Sequence, residues 1–161
     1  MSNARNEYFS SSIYLDSKKR TILIIPLARN EIGIWSQANF PQMIEWRGEN
    51  FRELGEKALE AFRVSQTHPV IMRADAVKVY TQATGIKGWA PFAKRHQMIS
   101  ACMYPCDPER RYKFEFWRRR SDNSFGNDAG ETVPLRELPP SAAEEALGRA
   151  IIDVYTQAGV L

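Results

Sequence analysis

The 161-residue sequence predicts an α+β fold, with helices packed on a mostly antiparallel sheet. Three observations predict it: short β-rich runs joined by polar turns, two amphipathic helical segments, and a pattern that occurs twice. The helical segments read LGEKALEAF at 54–62 and LGRAIIDVY at 147–155, so they lie 93 residues apart. Each places its apolar residues on one face of a helix.

The same offset relates the residues that precede the two helices. It carries three turn residues and one strand-like run onto counterparts: Asn30 onto Asn123, Gly33 onto Gly126, Pro41 onto Pro134, and 21–25 onto 114–118. We interpret this as one structural unit used twice within a single domain, 1–161. The predicted halves are 8–66 and 99–159, joined by a helical segment at 70–96. The alternative is two generic hairpin-plus-helix units.

The first half begins with a predicted β-hairpin. Two β-rich runs, 8–15 and 20–27, flank a short polar turn. Residues 22–25 are apolar at every position, which predicts a central strand covered on both faces. Pro26 is expected to end the pairing of this strand because it lacks a backbone N–H.

Two short strands and a long helix complete the first half. The strands are expected at 34–35 and 43–46, after a glycine turn. Asn50, followed three residues later by Glu53, has the spacing of a capping box, and predicts a helix over 50–65. The sequence His-Pro at 68–69 ends it.

The segment between the halves predicts two short helices. The first spans 75–84, with Asp75 as N-cap and Gly85 just after its end. The second spans 88–96, where apolar residues recur at helical spacing.

The second half repeats the order of the first. The sequence predicts strands at 97–104 and 111–117, a polar loop at 121–130 and a short strand at 131–135. The last helix is expected over 141–158, with Ser141 as its N-cap and Glu144 in the position of a capping box.

Composition is that of an ordinary soluble globular protein, 43% apolar and 25% charged. The net charge of +3 comes from interspersed basic and acidic residues, which does not by itself indicate nucleic-acid binding. We expect no membrane span and no signal peptide, and residues 1–6 resemble a cloning remnant. Two cysteines without a secretory signal suggest reduced thiols and a cytoplasmic location.

No residue pattern predicts an active site, a metal site or a cofactor. His68 and His96 lack a nucleophile at an interpretable spacing. Cys102 and Cys106 lack the second ligand pair that a structural zinc site needs. We therefore expect a binding protein rather than an enzyme.

The basic run 118–120 supports a second hypothesis. It follows an aromatic strand, and aromatic residues interleaved with cations can bind RNA by stacking and phosphate contact. The structural alternative is that these cations protect a strand end against edge-to-edge pairing. An RNA-binding or nucleic-acid-processing role that uses Arg118–Arg120 is the alternative function.

The assembled motifs resemble a known family. The run Ile24-Ile25-Pro26, the turn at Gly33 and the helix at 54–62 are similar to the first half of the contact-dependent growth inhibition immunity proteins (CdiI). The stretch at 85–89, with Phe92, resembles another segment of that family, with Gly88 in place of a serine. The strand FEFW and the second LG helix complete the resemblance, which covers about residues 10–157.

The resemblance implies a cytoplasmic protein that binds the C-terminal toxin domain of a CdiA surface protein, often a nuclease. It implies no catalytic residues. Because many such inhibitors are acidic, the net charge of +3 departs from the family pattern.

The toxin contacts are predicted on two loops in equivalent places of the repeat, 31–49 and 122–131, because loops carry function on a rigid scaffold. The predicted contacts combine residue types common in binding hot spots with local acids: Trp35, Glu45, Trp46, Arg47, Glu49, Asp122, Asp128 and Glu131. The alternative is that both tryptophans are core residues and the loops only connect strands.

Overall fold

The computed structural model describes residues 8–75 and 77–161. The proposed cloning remnant at 1–6 lies outside them. The elements are β1 (Phe9–Asp16), β2 (Thr21–Arg29), β3 (Trp35–Gln37), β4 (Gln42–Glu45), α1 (Phe51–Thr67), α2 (Val79–Thr84), α3 (Trp89–Arg95), β5 (Gln97–Met103), β6 (Tyr112–Trp117), β7 (Leu135–Leu138) and α4 (Glu144–Gln157). A short 3-10 turn, Arg73–Asp75, precedes α2. The predicted α+β class is confirmed.

The sheet has seven strands in the order β3-β2-β1-β5-β6-β7, and β4 also pairs with β2. Every strand pair is antiparallel. The order is symmetric about the central β1–β5 pair. On each side of it lie a hairpin partner and then the strand or strands that precede a long helix.

Helices cover both faces of the sheet. On the first face, α1 and α4 pack on side chains such as Ile13, Ile22 and Phe114. On the second face, α2 and α3 cover Leu23, Ile25 and their neighbours. The prediction that residues 22–25 are buried on both faces is therefore confirmed.

The two long helices cross through a reciprocal pair of glycines. A Cβ atom built on Gly55 would overlap the carbonyl of Glu144, and one built on Gly148 would overlap the carbonyl of Phe51. Gly55 and Gly148 are 93 residues apart, as are Phe51 and Glu144. The helices thus approach each other in the same way from both sides.

The strands do not keep the offset of 93 residues. Ile22 and Phe114 both face the α1–α4 layer, and they are 92 residues apart. The offset of 93 residues aligns Thr21 with Phe114, although the side chains at these two positions point to opposite faces of the sheet. An offset that preserves the face must be even in these strands, since side chains alternate with a period of two. The duplication itself stays a prediction.

Contrary to the prediction from the sequence, Pro26 does not end the pairing of β2. It lies opposite Ser11 of β1, and the strand continues to Arg29. The Pro26 carbonyl accepts a bond from the N–H of Ala38, on the side away from β1. Because the N and O of one strand residue point to the same side, the missing N–H also faces away from β1. The missing N–H therefore removes no ladder bond to β1, and the pairing of β2 with β3 begins at Leu27.

The predicted helix caps are wrong in detail. Asn50 is the N-cap of α1, but its side chain makes no cap bond and instead accepts from the N–H of Arg47 and donates to the carbonyl of Glu45. α4 has Ala143 as its N-cap rather than Ser141, because a turn closed by the Ala142 N–H precedes it.

Two other boundaries also move. α2 begins at Val79 after the N-cap Lys78, so it is shorter than the predicted 75–84, and the side chain of Asp75 lies outside the described part of the chain. β7 spans Leu135–Leu138 rather than 131–135, since Glu131 is still part of a turn. The helix predicted at 88–96 is confirmed as Trp89–Arg95.

Candidate functional site

The structure separates the predicted toxin contacts instead of bringing them together. β4 ends at Glu45, opposite Thr21, at the same end of the sheet where β6 leads into the 122–131 loop. Three strands lie between β4 and β6, which corresponds to about 19 Å. Trp35 pairs with Arg29 and lies at the other end of the sheet.

One of the contacts predicted in the first loop is a core residue. Trp46 is 4% exposed and packs against Phe51, with 5.2 Å between the ring centroids. Arg47 pairs with Glu53 at 2.8 Å, whereas Glu45 and Glu49 are exposed. Trp46 is therefore removed from the candidate contacts.

Trp35 remains accessible in part. It is half-buried, and the guanidinium of Arg29 lies 4.3 Å from its ring centroid. Arg29 also donates to the carbonyl of Gly33 at 2.6 Å. This arrangement fixes the indole against the sheet edge.

The second predicted loop is closed by ion pairs with the basic run that precedes it. Glu131 pairs with Arg118 at 2.6 Å, and Asp128 lies 3.7 Å from Arg120. Asp122 accepts bonds from the backbone and hydroxyl of Ser124, which lower the pKa of its carboxyl. The acids of this loop are partly neutralised within the chain.

The side chains of the basic run 118–120 are likewise held by contacts within the protein. Besides the two ion pairs, Arg119 donates to the carbonyl of Ala93 at 2.9 Å. Arg120 donates to the carbonyl of Asn127 as well. Each guanidinium of 118–120 therefore has a partner that holds it against the protein.

The second face of the sheet is open where α2 and α3 do not reach. A groove of about 330 Å³ lies there, with Ser10, Ser100 and Cys102 on its floor. Trp35 and Trp117 also line it, and the indole N–H of Trp117 donates to Glu115 at 3.1 Å. The groove is polar at its base and aromatic at its walls.

The Cys102 thiol and the Tyr104 phenol, which both line this groove, are held in their neutral forms. Burial raises the pKa of the Cys102 thiol. Burial, together with Cys102 itself, raises the pKa of Tyr104 well above its ordinary value. A thiol kept protonated is a poor nucleophile.

The two histidines lie in structural positions. Burial lowers the pKa of His96, whose Nδ1 lies 2.7 Å from the carbonyl of Phe92 and whose ring stacks on Phe92. The Nδ1 of His68 lies 2.6 Å from the carbonyl of Pro69.

Across 8–75 and 77–161, no group of three or more His, Cys, Asp or Glu side chains is placed to hold a metal ion. No helix in the same residues has the length and apolar character needed to cross a bilayer.

An exposed apolar surface, not anticipated from the sequence, lies at the β3 edge of the sheet. Its members are large apolar side chains between 40% and 58% exposed, here called the edge patch: Ile32, Ile34, Phe40, Val70, Met72 and Val77. Large exposed apolar clusters are uncommon on soluble proteins unless they bind something. The edge patch is therefore a candidate functional site.

Residues 68–75 and Val77, here called the strap, lie between α1 and α2 and complete the edge patch. A cavity of about 250 Å³ lies between this strap and β3, lined by Gln37, Val70 and Met72 among others. Phe40 lies against His68, with 6.0 Å between the ring centroids.

Specific bonds hold the strap in place. The N–H of Ile71 donates to the carbonyl of Arg29 at 2.9 Å. The backbone N–H and the Nε of Arg73 each donate to one carboxylate oxygen of Glu31, both at 2.8 Å. The edge patch is thus formed before any partner binds.

Comparison with known proteins gives a likeness of fold. No family model matches the sequence, and no curated protein matches it significantly. A protein of unknown function from Neisseria meningitidis is similar in structure, with a TM-score of 0.66 at 12% identity over 97% of this chain and 98% of that one. A chain of the CdiA-CT/CdiI toxin and immunity complex from Yersinia pseudotuberculosis is also similar. Its TM-score is 0.65 at 10% identity, over 93% of this chain and 97% of that one.

Proposed function

We propose that this protein is a cytoplasmic immunity protein that binds and neutralises the C-terminal toxin domain of a CdiA protein. The observation that carries the proposal is the likeness of fold to a chain of a CdiA-CT/CdiI complex, which extends over nearly the full length of both chains. The CdiI-like motifs at 24–26, 85–89 and 114–117 support it independently of the structure.

The physical character of the molecule fits an inhibitor that acts by binding. Its conspicuous surface feature is an exposed, preformed apolar patch. The thiol of Cys102 is held protonated, and the His96 ring is buried against Phe92. Binding energy from such a patch requires no chemistry on the toxin.

The alternative, RNA binding through Arg118–Arg120, has less support. A guanidinium that is already paired must exchange its partner for a phosphate, which reduces the gain from binding. Arg118 and Arg120 are paired with Glu131 and Asp128, and Arg119 donates to a backbone carbonyl. RNA affinity that falls steeply with salt, in the absence of toxin, would favour this alternative.

The test uses the toxin domain encoded immediately upstream of the gene for this chain. Cells that express the toxin domain from an inducible promoter are expected to stop growing, and co-expression of this chain is expected to restore growth. The purified proteins are expected to elute together from a sizing column. Failure of both growth rescue and co-elution would contradict the proposal.

A matched control separates binding from nonspecific rescue. The same toxin domain is co-expressed with an unrelated immunity protein, which is expected to give no rescue. A catalytically inactive toxin variant is expected to bind this chain as the active toxin does, because inhibition by binding does not depend on toxin turnover.

A further inference from the structure

We propose that the edge patch is the surface on which the toxin domain docks, and that the complementary toxin surface has an apolar centre and an acidic rim. This inference rests on the proposed function. It narrows the docking face, which the sequence placed on loops 31–49 and 122–131, to the apolar residues Ile32, Ile34 and Phe40 of the first loop together with the strap.

The exposure of the edge patch is not required by the fold. The connection that follows the second hairpin, β5–β6, is polar, and the ion pairs Arg118–Glu131 and Arg120–Asp128 close it. The connection that follows the first hairpin, β1–β2, instead exposes Ile32, Ile34 and Phe40. Similar elements are therefore connected in two ways, and only the first way exposes large apolar side chains.

The shape of the edge patch suits a protruding apolar group. The cavity between β3 and the strap has a volume of about 250 Å³, which is smaller than most drug-sized ligand pockets. Val70, Met72 and Val77 form its apolar rim. A few side chains of a partner can fill this cavity while surrounding residues cover the rest of the patch, as in a binding hot spot.

The charges beside the edge patch define the partner further. Lys78, next to Val77, is exposed and makes no ion pair with any other described residue. Arg29 is also exposed, on the other side near Gly33. An acidic rim on the partner would complement both cations and increase the association rate.

The same charges argue against a second copy of this chain as the occupant. In a two-fold symmetric dimer, the same patch lies on both sides of the interface. Both copies would then place Lys78 and Arg29 around one desolvated apolar centre, and this accumulation of like charge is unfavourable. The chain also carries a net charge of +3, which opposes self-association in general.

The experiment measures the affinity of the inactive toxin domain for three variants by titration calorimetry. Met72→Asp and Ile34→Asp place a charge on the strap and on the β2–β3 turn. Leu135→Asp is the matched control, because Leu135 is an exposed apolar residue at the opposite edge of the sheet. Thermal unfolding of all three is compared with wild type to verify folding.

We expect Met72→Asp and Ile34→Asp each to weaken binding by about 30-fold or more, the range of a hot-spot residue. Leu135→Asp is expected to bind like wild type. If both patch variants bind like wild type, the docking face lies elsewhere and this inference is overturned, although the proposed function stands. If wild type does not bind the toxin domain at all, the proposed function fails as well.

Two further measurements test the acidic rim and the alternative that a second copy of this chain covers the edge patch. Lys78→Glu is expected to slow association with the toxin at low salt, and an unchanged on-rate would overturn the acidic rim. Sedimentation of wild type alone is expected to give a monomer. A dimer that Met72→Asp dissociates would mean that a second copy covers the edge patch, and this would also overturn the inference.

Discussion

The two halves of the sheet agree in their helices and differ in the connections that precede them. α1 and α4 cross through Gly55 and Gly148, and the leucine before each glycine is fully buried. By contrast, the connection after β2 exposes apolar side chains, whereas the connection after β6 is closed by ion pairs.

This difference separates the residues that build the fold from those that are free to serve a function. The glycines are constrained because each helix backbone contacts the other directly. The exposed Ile32 and Ile34 have no such constraint, since the second half forms its sheet without an equivalent apolar surface. The edge patch is therefore the part of the molecule that stability does not explain.

The largest expected effects concern the two matched leucines. Leu54→Ala and Leu147→Ala each remove a fully buried side chain, so the free energy of unfolding should fall by about 2–5 kcal/mol. Denaturant unfolding measures both. Because the two sites occupy corresponding helix positions, their losses should be similar. A large loss at one leucine with none at the other would break the comparison between halves.

A smaller loss is expected from filling the helix crossing. Gly55→Ala and Gly148→Ala each place a methyl group against the backbone of the partner helix. This overlap should outweigh the gain in helix propensity of about 1 kcal/mol and lower the free energy of unfolding by about 1–3 kcal/mol.

Glu60→Ala is the control for the glycine variants, because Glu60 lies on the exposed side of α1 and makes only a surface ion pair. It should change the free energy of unfolding by less than about 1 kcal/mol. If both glycine variants are as stable as wild type, the helices can move apart at no cost in free energy. That result would contradict the close contact of the two helix backbones at Gly55 and Gly148.

The sequence predicted those parts of the fold that periodicity controls. The continuous apolar run at 22–25 predicted a strand buried on both faces, and the helical spacing after Leu54 and Leu147 predicted the two long helices. Caps were less predictable, since Ser141 competes with a turn that starts at Pro139.

The candidate site could not be read from the sequence in the same way. Ile32 and Ile34 are the same residue type as the core isoleucines, and only the course of the chain leaves them exposed. Trp46 was expected in a contact loop but packs beneath the helix that follows it. Hydrophobic residues in connections remain ambiguous until the neighbours that cover them are known.

The segment that links the two halves should contribute a pH dependence to stability. Burial lowers the pKa of His96 in the folded protein, while Asp16 and Arg95 nearby act in opposite directions. The unfolded chain therefore binds more protons, so stability is complete above a pH of about 6.5 and declines as the pH falls below it.

His96→Gln should flatten this decline, because the glutamine does not titrate. Urea midpoints measured from pH 7.5 to 5 test the prediction. An equally steep decline in the variant would assign the pH dependence to other groups.

The smallest expected effects concern the charged loops at the other end of the sheet. Reversal of Glu45, Glu49, Asp122 or Asp128 should change the equilibrium affinity for toxin by less than about threefold, and mainly through a salt-sensitive association rate. Stopped-flow mixing at two salt concentrations measures this. A loss of affinity at these positions as large as that at Met72 would restore the two loops as the docking face.

Hydrogen–deuterium exchange with and without the inactive toxin domain tests most directly where the partner binds. The amides of 31–40 and 70–78 should exchange more slowly in the complex, and those of 122–131 should be unchanged. Slower exchange confined to 122–131, with 31–40 and 70–78 unaffected, would contradict docking on the edge patch.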